Sequence, residues 1–583
     1  MLSKPHETAL PTTRWKLPPI PPVLQDDFTE ELGIHPVLSR ILIGRSIETV
    51  EQARRFISPS LGELHNPFLL KDIRNAAERL VRAVKNKEKI VIYGDYDVDG
   101  ITSVAVLFHF LTGFYDQVDY YIPDRIDEGY SLNCPAIERI AGGGAGLIIT
   151  VDCGTSDRDE ISFARELGID TIVLDHHELT GPLPSAVAVV NPNREDCRFP
   201  FKQLAGVGVV FNFVIALRGL LREQGFWAGK KYPNLKEYLD LVALGTIGDI
   251  APLLDENRIF AKIGLDLINK GKRTGVQALR EVSGLSSAPL DSLSASFFII
   301  PRINAAGRMS RAGEAVELLL TEDAQAAASL ARKMDEYNRR RQALEKNILE
   351  EIRLRLENSL SLDRTHAIVF ASPEWHPGII GIVASKLVDQ YYRPTVLISL
   401  KDGIGKGSCR SIAEFDLHQA LNRCHSLLLA HGGHRYAAGI SIREEQVDEF
   451  RRQLEAIVRA DLSLAEMIRQ TTIDARCNLS EINTDLISQF ELLAPFGSMN
   501  QEPVLYAQGV RVSSFSIVGR NHLKMRIHGD GVFRESIWFS MGHFREAIRG
   551  LDVDVVFTPR MNNWAGTNGI QLKMRDMALP PSP

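Results

Sequence analysis

Lys89–Ser103 reads KIVIYGDYDVDGITS. The β-branched run Ile90-Val91-Ile92-Tyr93 has the composition of a buried strand. It leads directly into three carboxylates at alternate positions, Asp95, Asp97 and Asp99. Gly100 follows, and Ile101–Leu111 then carries apolar residues at helical spacing. A strand that ends in an acid-rich loop and re-enters a helix can hold a divalent cation at the edge of a sheet. One acid would be enough to cap the helix; three acids that close repel one another unless a cation neutralises them. The D-x-D-x-D-G pattern also opens an EF-hand loop. That loop needs a glutamate at its twelfth position, which here is Val106, and a helix before it rather than a strand. The EF-hand is therefore excluded.

Outward from this stretch a rhythm sets in. Apolar runs recur at Val118–Ile122, Gly146–Val151, Thr171–Leu174 and Val187–Val190, separated by helix-like segments such as Cys134–Ile140 and Asp159–Leu167. Alternation of this kind predicts βαβ units, a parallel sheet and helices on both of its faces. Each run is followed by polar residues: Pro123-Asp124-Arg125, Asp152, Asp175-His176-His177 and Asn191-Pro192. Open α/β sheets bind ligands beyond the carboxyl ends of their strands, so these ends describe a single site. Asp152 by itself reads equally well as a helix N-cap. Two imidazoles beside a carboxylate at a strand end rarely serve packing, and that donor set suits Mn²⁺, Mg²⁺ or Zn²⁺.

The bulk numbers set bounds. A chain of 583 residues should form about three to four domains. Hydrophobic content of 44% and charged content of 24% are globular values. The net charge of -6 neither selects nor excludes a nucleic acid, because local patches decide that. Six scattered cysteines without a CxxC pair fit a reduced intracellular protein. The proline-rich start has no continuous apolar signal region, and no later run approaches the ~20 apolar residues of a membrane helix. A soluble cytoplasmic protein is expected.

Further along, GTIGDIAPL places Asp249 at a helix terminus, and Phe297–Ala312 reads as a polar loop bearing Arg302, Asn304 and Arg308. Residues 324–357, with neither glycine nor proline, predict a long, charged, exposed connecting helix. A second α/β unit begins at Ala367–Phe370 and contains GKGSCRS (405–411) and HGGHRYAAG (431–439). No GxxxxGK[ST] occurs. These glycine-rich segments read either as loops whose amides form an anion nest or as tight turns. From about Leu462 short strand-like runs predict a small β-barrel. Between Ala507 and Met577, ten lysines and arginines stand against six acids, 10 − 6 = +4. Phe515, Phe533, Trp538, Phe539 and Trp564 lie in the same section. They fit base stacking on single-stranded nucleic acid, and equally the filling of a barrel core.

Taken together, DYDVDG (95–100), VDCG (151–154), DHH (175–177) and GDIAP (248–252) resemble the DHH phosphoesterase superfamily. WHPGIIGIVASKL (375–387), GKGSCRS and GGHRYAAG resemble its DHHA1 domain. With PDRIDEGYSL (123–132), PRINAAGR (301–308) and the APFG–NQEPVL segment (494–505), the chain is similar to the RecJ single-strand-specific exonucleases from about Phe28 to Met577. The resemblance implies an α/β fold: a parallel-sheet DHH domain and a smaller α/β DHHA1 domain joined by a long helix, with a C-terminal OB-type β-barrel. The expected division is an N-terminal arm and helical cap (1–70), DHH domain (71–325), connecting helix (326–360), DHHA1 domain (361–461) and OB-like domain (462–583). It further implies a hydrolase that degrades single-stranded DNA from the 5′ end with Mn²⁺ or Mg²⁺, two ions in all, in recombination and repair. Asp97, Asp99, Asp152, His176 and Asp249 would be metal ligands, with Asp95 sharing or supporting the first ion. Asp175 and His177 would orient the cluster and contact phosphate. Arg125, Arg308, Ser408 and Arg410 would grip the DNA backbone and its 5′ end, with Arg302, Asn304, Gly433 and His434 as further substrate contacts. A monomer working with a helicase and a single-strand-binding protein is implied. Two positions depart from the family pattern: Ser131 stands where glycine is usual, and Met499 interrupts a glycine-rich turn. The rival readings are a small-nucleotide phosphodiesterase of the same superfamily and a non-catalytic single-strand-binding scaffold.

Overall fold

The computed structural model describes residues 14–125, 127–179, 181–359, 364–562 and 569–579. It divides into two compact units. The larger is Leu61–Met467 with Gly497–Met499; the smaller combines the described parts of 1–60 with Ile468–Phe496 and 500–583.

The larger unit is built on a five-stranded parallel sheet. Its strands run in the order Val118–Tyr121, Lys89–Gly94, Ala145–Val151, Asp170–Leu174, Ala188–Val190. These are the five strands expected from the apolar runs. Alternate side chains serve two cores. Ile90, Ile92, Leu147, Ile149, Ile172 and Leu174 pack with the helices Ile73–Asn86, Val98–Thr112, Gly206–Glu223 and Leu239–Gly248. Val91, Tyr93, Ile148 and Val173 pack with Cys134–Gly142 and Arg158–Glu166 on the other face. Burial on both faces is why each strand is apolar throughout rather than alternating. Register places Gly94 beside Val151, Val151 beside Leu174, and Leu174 beside Val190. The next residue of each strand therefore emerges along one edge: Asp95, Asp152, Asp175 and Asn191.

Three expectations need correction. Phe297–Ala312 is not a loop. A π-helical turn over Ala295–Ile299 runs into the helix Ile300–Met309, which accepts Pro301 in its first turn, where a missing N–H costs nothing. Ile299, Ile300, Ile303 and Ala306 are buried at helical spacing, while Phe297 and Phe298 stay exposed. The helix Ala324–Ser359 is not simply exposed. Ala327, Ala331, Met334 and Asn338, then Ile348, Ile352 and Leu356, bury one stripe along it. Of the expected connecting helix and DHHA1 domain, residues 360–363 lie outside the described residues.

GKGSCRS is also not a loop, and HGGHRYAAG is a hairpin with its tight turn at His434–Tyr436. They fall on the strands Ile404–Arg410, Leu428–Gly433 and Ala437–Arg443 of a second five-stranded sheet, completed by Thr395–Lys401 and Ile368–Ser372. Its glycines make room for cross-strand isoleucines. A Cβ on Gly405 would lie 2.5 Å from Ile398 Cγ2, and one on Gly407 2.5 Å from Ile440 Cγ1.

In the smaller unit, the strands Leu505–Val518, His522–Gly529, Val532–Trp538, Gly569–Ala578 and Asp552–Asn562 pair in that order. The barrel closes when the last pairs back on the first. Phe28, Leu38, Ile41 and Leu42, from helices Pro22–Leu32 and Pro36–Gly44, share a core with Leu505, Ile527, Val555 and Leu572 of the barrel. The N-terminal helices and the barrel, separate segments of the sequence, thus bury one apolar interior. Of the expected N-terminal arm, residues 1–13 lie outside the described residues; Arg14–Lys16 pairs in parallel with Gln470–Thr472. The barrel aromatics divide. Trp538 is buried and Phe515 half-buried against the core, whereas Phe533 and Phe539 are exposed. Trp564 lies outside the described residues. Among the described residues no helix is long and apolar enough to cross a membrane.

Candidate metal centre

The acid loop is held by its own amides. Asp97 is the N-cap of the Val98–Thr112 helix, its Oδ1 accepting from Asp99 N (2.9 Å) and Gly100 N (3.3 Å). A Cβ on Gly100 would collide with the Asp95 backbone, so the turn from strand to helix can close this tightly only around glycine. Asp99 is buried, and its two oxygens accept from Gly206 N (2.7 Å) and Val207 N (2.9 Å), the first amides of the Gly206–Glu223 helix. Asp152 leaves its strand in the left-handed region at φ 60. That turn brings its carboxylate against Gly206, where a Cβ would sit 2.5 Å from Oδ1.

The histidines are fixed by different partners. The His176 Nδ1 faces the Leu204 carbonyl at 3.0 Å. A carbonyl only accepts, so this nitrogen carries a proton, and in the neutral ring Nε2 is the lone-pair donor a metal needs. Nε2 lies 3.1 Å from Asp152 Oδ1 and 3.9 Å from Asp99 Oδ2, and Asp249 Oδ2 is 3.9 Å from the ring's other nitrogen. His177 pairs through Nδ1 with Asp175 Oδ1 (2.7 Å) and meets the Tyr130 hydroxyl through Nε2 (3.1 Å). Asp175 also accepts from the amides of His176, His177 and Thr155 at 2.7, 3.2 and 2.9 Å. An anion saturated in this way orients its neighbours.

Electrostatics separates these roles. Burial, with Asp97 beside it, pushes the Asp95 carboxyl up to about 8; burial, with Asp249 nearby, pushes Asp99 up to about 7. Asp152 and Asp249 are also raised, first by burial and then by neighbouring charge. Asp175 goes the other way. Burial opposes its charge, but His177 and the accepted hydrogen bonds hold it well below the usual carboxylate range. His177 is raised to about 9 because Asp175 outweighs its burial. Asp95 Oδ1 and Asp152 Oδ1 are buried and accept no hydrogen bond among the described residues. Three sets bring one donor atom each within 4.8 Å: Asp95, Asp97 and Asp152; Asp99, His176 and Asp249; and Asp152, His176 and His177. Orphaned hard oxygens, one imidazole lone pair and mutual carboxylate repulsion together fit divalent Mn²⁺ or Mg²⁺.

The substrate candidates divide. Arg125 lies over the Tyr96 ring, 4.7 Å from its centroid, close enough to bias Asp95. Arg308 donates to the Gly378 carbonyl at 2.8 Å and is pushed down to about 9 by burial and by Arg125, against the pull of Asp97. Burial lowers Arg410 as well, and Arg125 adds to that. Its Nη2 and the Ser408 Oγ flank Gly381, 3.2 and 3.3 Å from where a Cβ would stand. Arg125 is thus close enough to act on both Arg308 and Arg410, and Ser408 stands beside Arg410. Arg302 is engaged with Asp335 (2.8 Å) and the Phe298 carbonyl. Asn304 Oδ1 accepts from Val98 N at 2.8 Å, bracing the helix that starts at Asp97. Gly433 holds φ 133 within its hairpin, and His434 Nδ1 lies 3.2 Å from Glu178 on the surface. Sequence reasoning did not single out Tyr96 or Tyr130, although both sit inside motifs that it quoted. The two departures from the family pattern are accounted for by backbone: Ser131 and Met499 have φ 71 and 55, where glycine carries no Cβ penalty. Ser131 Oγ donates to Asp157 in compensation.

A parallel sheet with this acid and histidine edge defines a DHH-type phosphoesterase, and residues 89–246 match the DHH family N-terminal domain. Residues 364–460 match the DHHA1 domain and 473–576 the RecJ OB domain. The chain is 38% identical over 557 residues to the single-stranded-DNA-specific exonuclease RecJ of Bacillus subtilis (strain 168), covering 95% of this chain and 69% of that one. To RecJ of Haemophilus influenzae it is 37% identical, covering 87% and 90%. The crystal structure of RecJ in complex with Mn²⁺ from Thermus thermophilus superposes with a TM-score of 0.82 at 29% identity, covering 98% of this chain and 80% of that one. The chain belongs to the RecJ family of single-stranded-DNA-specific exonucleases.

Proposed function

We propose that this chain is a divalent-metal-dependent exonuclease that hydrolyses single-stranded DNA from the 5′ end. The observation that carries the reading is the pair of neighbouring donor sets, Asp95/Asp97/Asp152 and Asp99/His176/Asp249, at a sheet edge whose carboxylates feel Arg125 and Arg308. Asp97, Asp99, Asp152, His176 and Asp249 would hold two ions, with Asp95 sharing the first. Bound there, Mn²⁺ or Mg²⁺ supplies Lewis acidity toward a phosphodiester and lowers the pKa of water. Asp175 keeps His177 oriented and charged toward the phosphate. Arg125 and Arg308 grip the backbone phosphates, and Arg410 with Ser408 takes the terminal 5′-phosphate. On the barrel, exposed Phe533 and Phe539 offer stacking surfaces, with Arg526 4.5 Å from the Phe533 ring centroid.

A strand-specific enzyme of this kind requires a helicase to supply single strands and meets a single-strand-binding protein on them. We place it in the cytoplasm as a monomer, in recombination and repair, which the six free cysteines suit. The test is a polarity assay on end-labelled single- and double-stranded DNA with and without Mn²⁺. Mononucleotides released from the 5′ label of single strands only are expected. Release from the 3′ end, or clear preference for a dinucleotide, would overturn the proposal. Strand binding without any release would favour the scaffold reading.

A further inference from the structure

A cavity of about 490 Å³ opens at the opposite end of the helices that carry the metal ligands. Its volume is within the range of small-molecule sites. The Val98–Thr112 helix begins at Asp97 and Asp99 and reaches this cavity at His109. The Leu239–Gly248 helix starts at the cavity with Asp240 and ends at Asp249, its C-cap. At 1.5 Å per residue each span is roughly 15 Å. The two helices pack without slack. A Cβ on Gly245 would collide with Thr102 Oγ1 and approach Asp99 Oδ1 to 3.0 Å, and one on Gly248 would collide with Val98. Helices packed this tightly can pass a shift at the cavity end to both sets of ligands.

The lining has two halves. On the floor, buried Asp240 is neutralised by Arg273, whose Nε and Nη2 reach its carboxylate at 2.6 and 3.1 Å. Lys236, Lys270 and Lys272 also line the cavity and enter none of the ion pairs found among the described residues. Glu237 and Glu322 are the remaining carboxylates of the lining; Glu237 accepts from Asn234. Three uncommitted ammonium groups favour an anion. Leu267 and Leu320, with the flat His109 ring, form an apolar wall suited to a base or sugar.

We propose that this cavity is a regulatory site for a nucleoside monophosphate, with its phosphate held by the three lysines and its occupancy sensed at the metal cluster through the two helices. The choice of a mononucleotide, the product of strand degradation, rests on the exonuclease reading; the anion site does not.

The test titrates dAMP, and separately inorganic phosphate, into the full chain in EDTA by calorimetry, and into the Lys270→Glu/Lys272→Glu variant. Both substitutions are at exposed positions outside the catalytic cleft. Binding of dAMP should weaken by about tenfold or more in the variant, as expected when charge-assisted contacts are lost. Added dAMP should change the initial cleavage rate of the unaltered protein at concentrations that leave the variant unaffected, with equal rates when no dAMP is added. Equal dAMP affinity in both proteins, or phosphate binding as tightly as dAMP, would overturn the proposal. Lysine-dependent dAMP binding by a protein that releases no nucleotides from DNA would overturn the exonuclease reading while leaving the site standing.

Discussion

Removing divalent metal should make the larger unit lose stability as pH rises from 5 to 8, and Mn²⁺ should restore it most at the upper end. The sign follows from the carboxyls. Asp95 and Asp99 stand at about 8 and about 7 in the fold against 3.8 unfolded, so the metal-free native state binds more protons than the unfolded chain across this window. Stability then falls with rising pH. His177, raised to about 9, acts in the same direction, because its contribution is full below its unfolded value and is lost as pH climbs through the folded one. Asp175 is depressed, so its contribution is already complete above pH 4 and adds no slope. Counting a single pK unit on each of Asp95 and Asp99 gives about 2.7 kcal/mol. For a unit of this size that is a loss of roughly 3 °C in midpoint. An ion at a hundredfold its Kd would return about 2.7 kcal/mol at pH 8, and less at pH 5, where protons compete for the same oxygens. The assay is calorimetry in EDTA and in Mn²⁺ across pH 5–8, with hydrogen exchange of the Ala145–Val151 strand to localise the effect. Asp95→Asn should flatten the metal-free slope. A midpoint that stays level or rises toward pH 8 in EDTA, or a larger Mn²⁺ effect at pH 5, would refute the reasoning.

Asp152→Ala, which removes a carboxylate common to two of the three donor sets, should lower cleavage by about a hundredfold or more, while single-strand binding measured by anisotropy is retained. Asn304→Ala deletes the acceptor for Val98 N and should cost about 1 kcal/mol of stability and reduce kcat; an Asp there should rescue both, as melting and steady-state rates would show. Arg410→Ala should lessen the preference for 5′-phosphorylated ends and lower the salt slope of binding by about 1, read from titrations at several salt concentrations. Phe533→Ala, at an exposed position, should weaken single-strand affinity with no change in melting midpoint.

Much of the catalytic half was legible because it is governed by local rules. Strands buried on both faces must be apolar throughout, so five short runs identified the sheet, and parallel pairing then obliged Asp95, Asp152 and Asp175 to share an edge. Three acids at alternate positions of one short loop repel one another unless a cation or protons neutralise them, and that much is local. Other features depended on partners far away in the chain. Arg302, Asn304 and Arg308 belong to one segment, yet Asp335 engages the first, Val98 the second and the Gly378 carbonyl the third. The glycines of GKGSCRS looked like loop residues because the isoleucines that require them lie on neighbouring strands. The common core of the N-terminal helices and the barrel joins residues more than 400 positions apart. The sequence alone determined the element types, the acid and histidine edge and the need for metal, all set by period and charge. Only the tertiary structure decided which polar groups face the site and which are consumed in holding it, because hydrogen bonds and packing clashes are settled by neighbours in space.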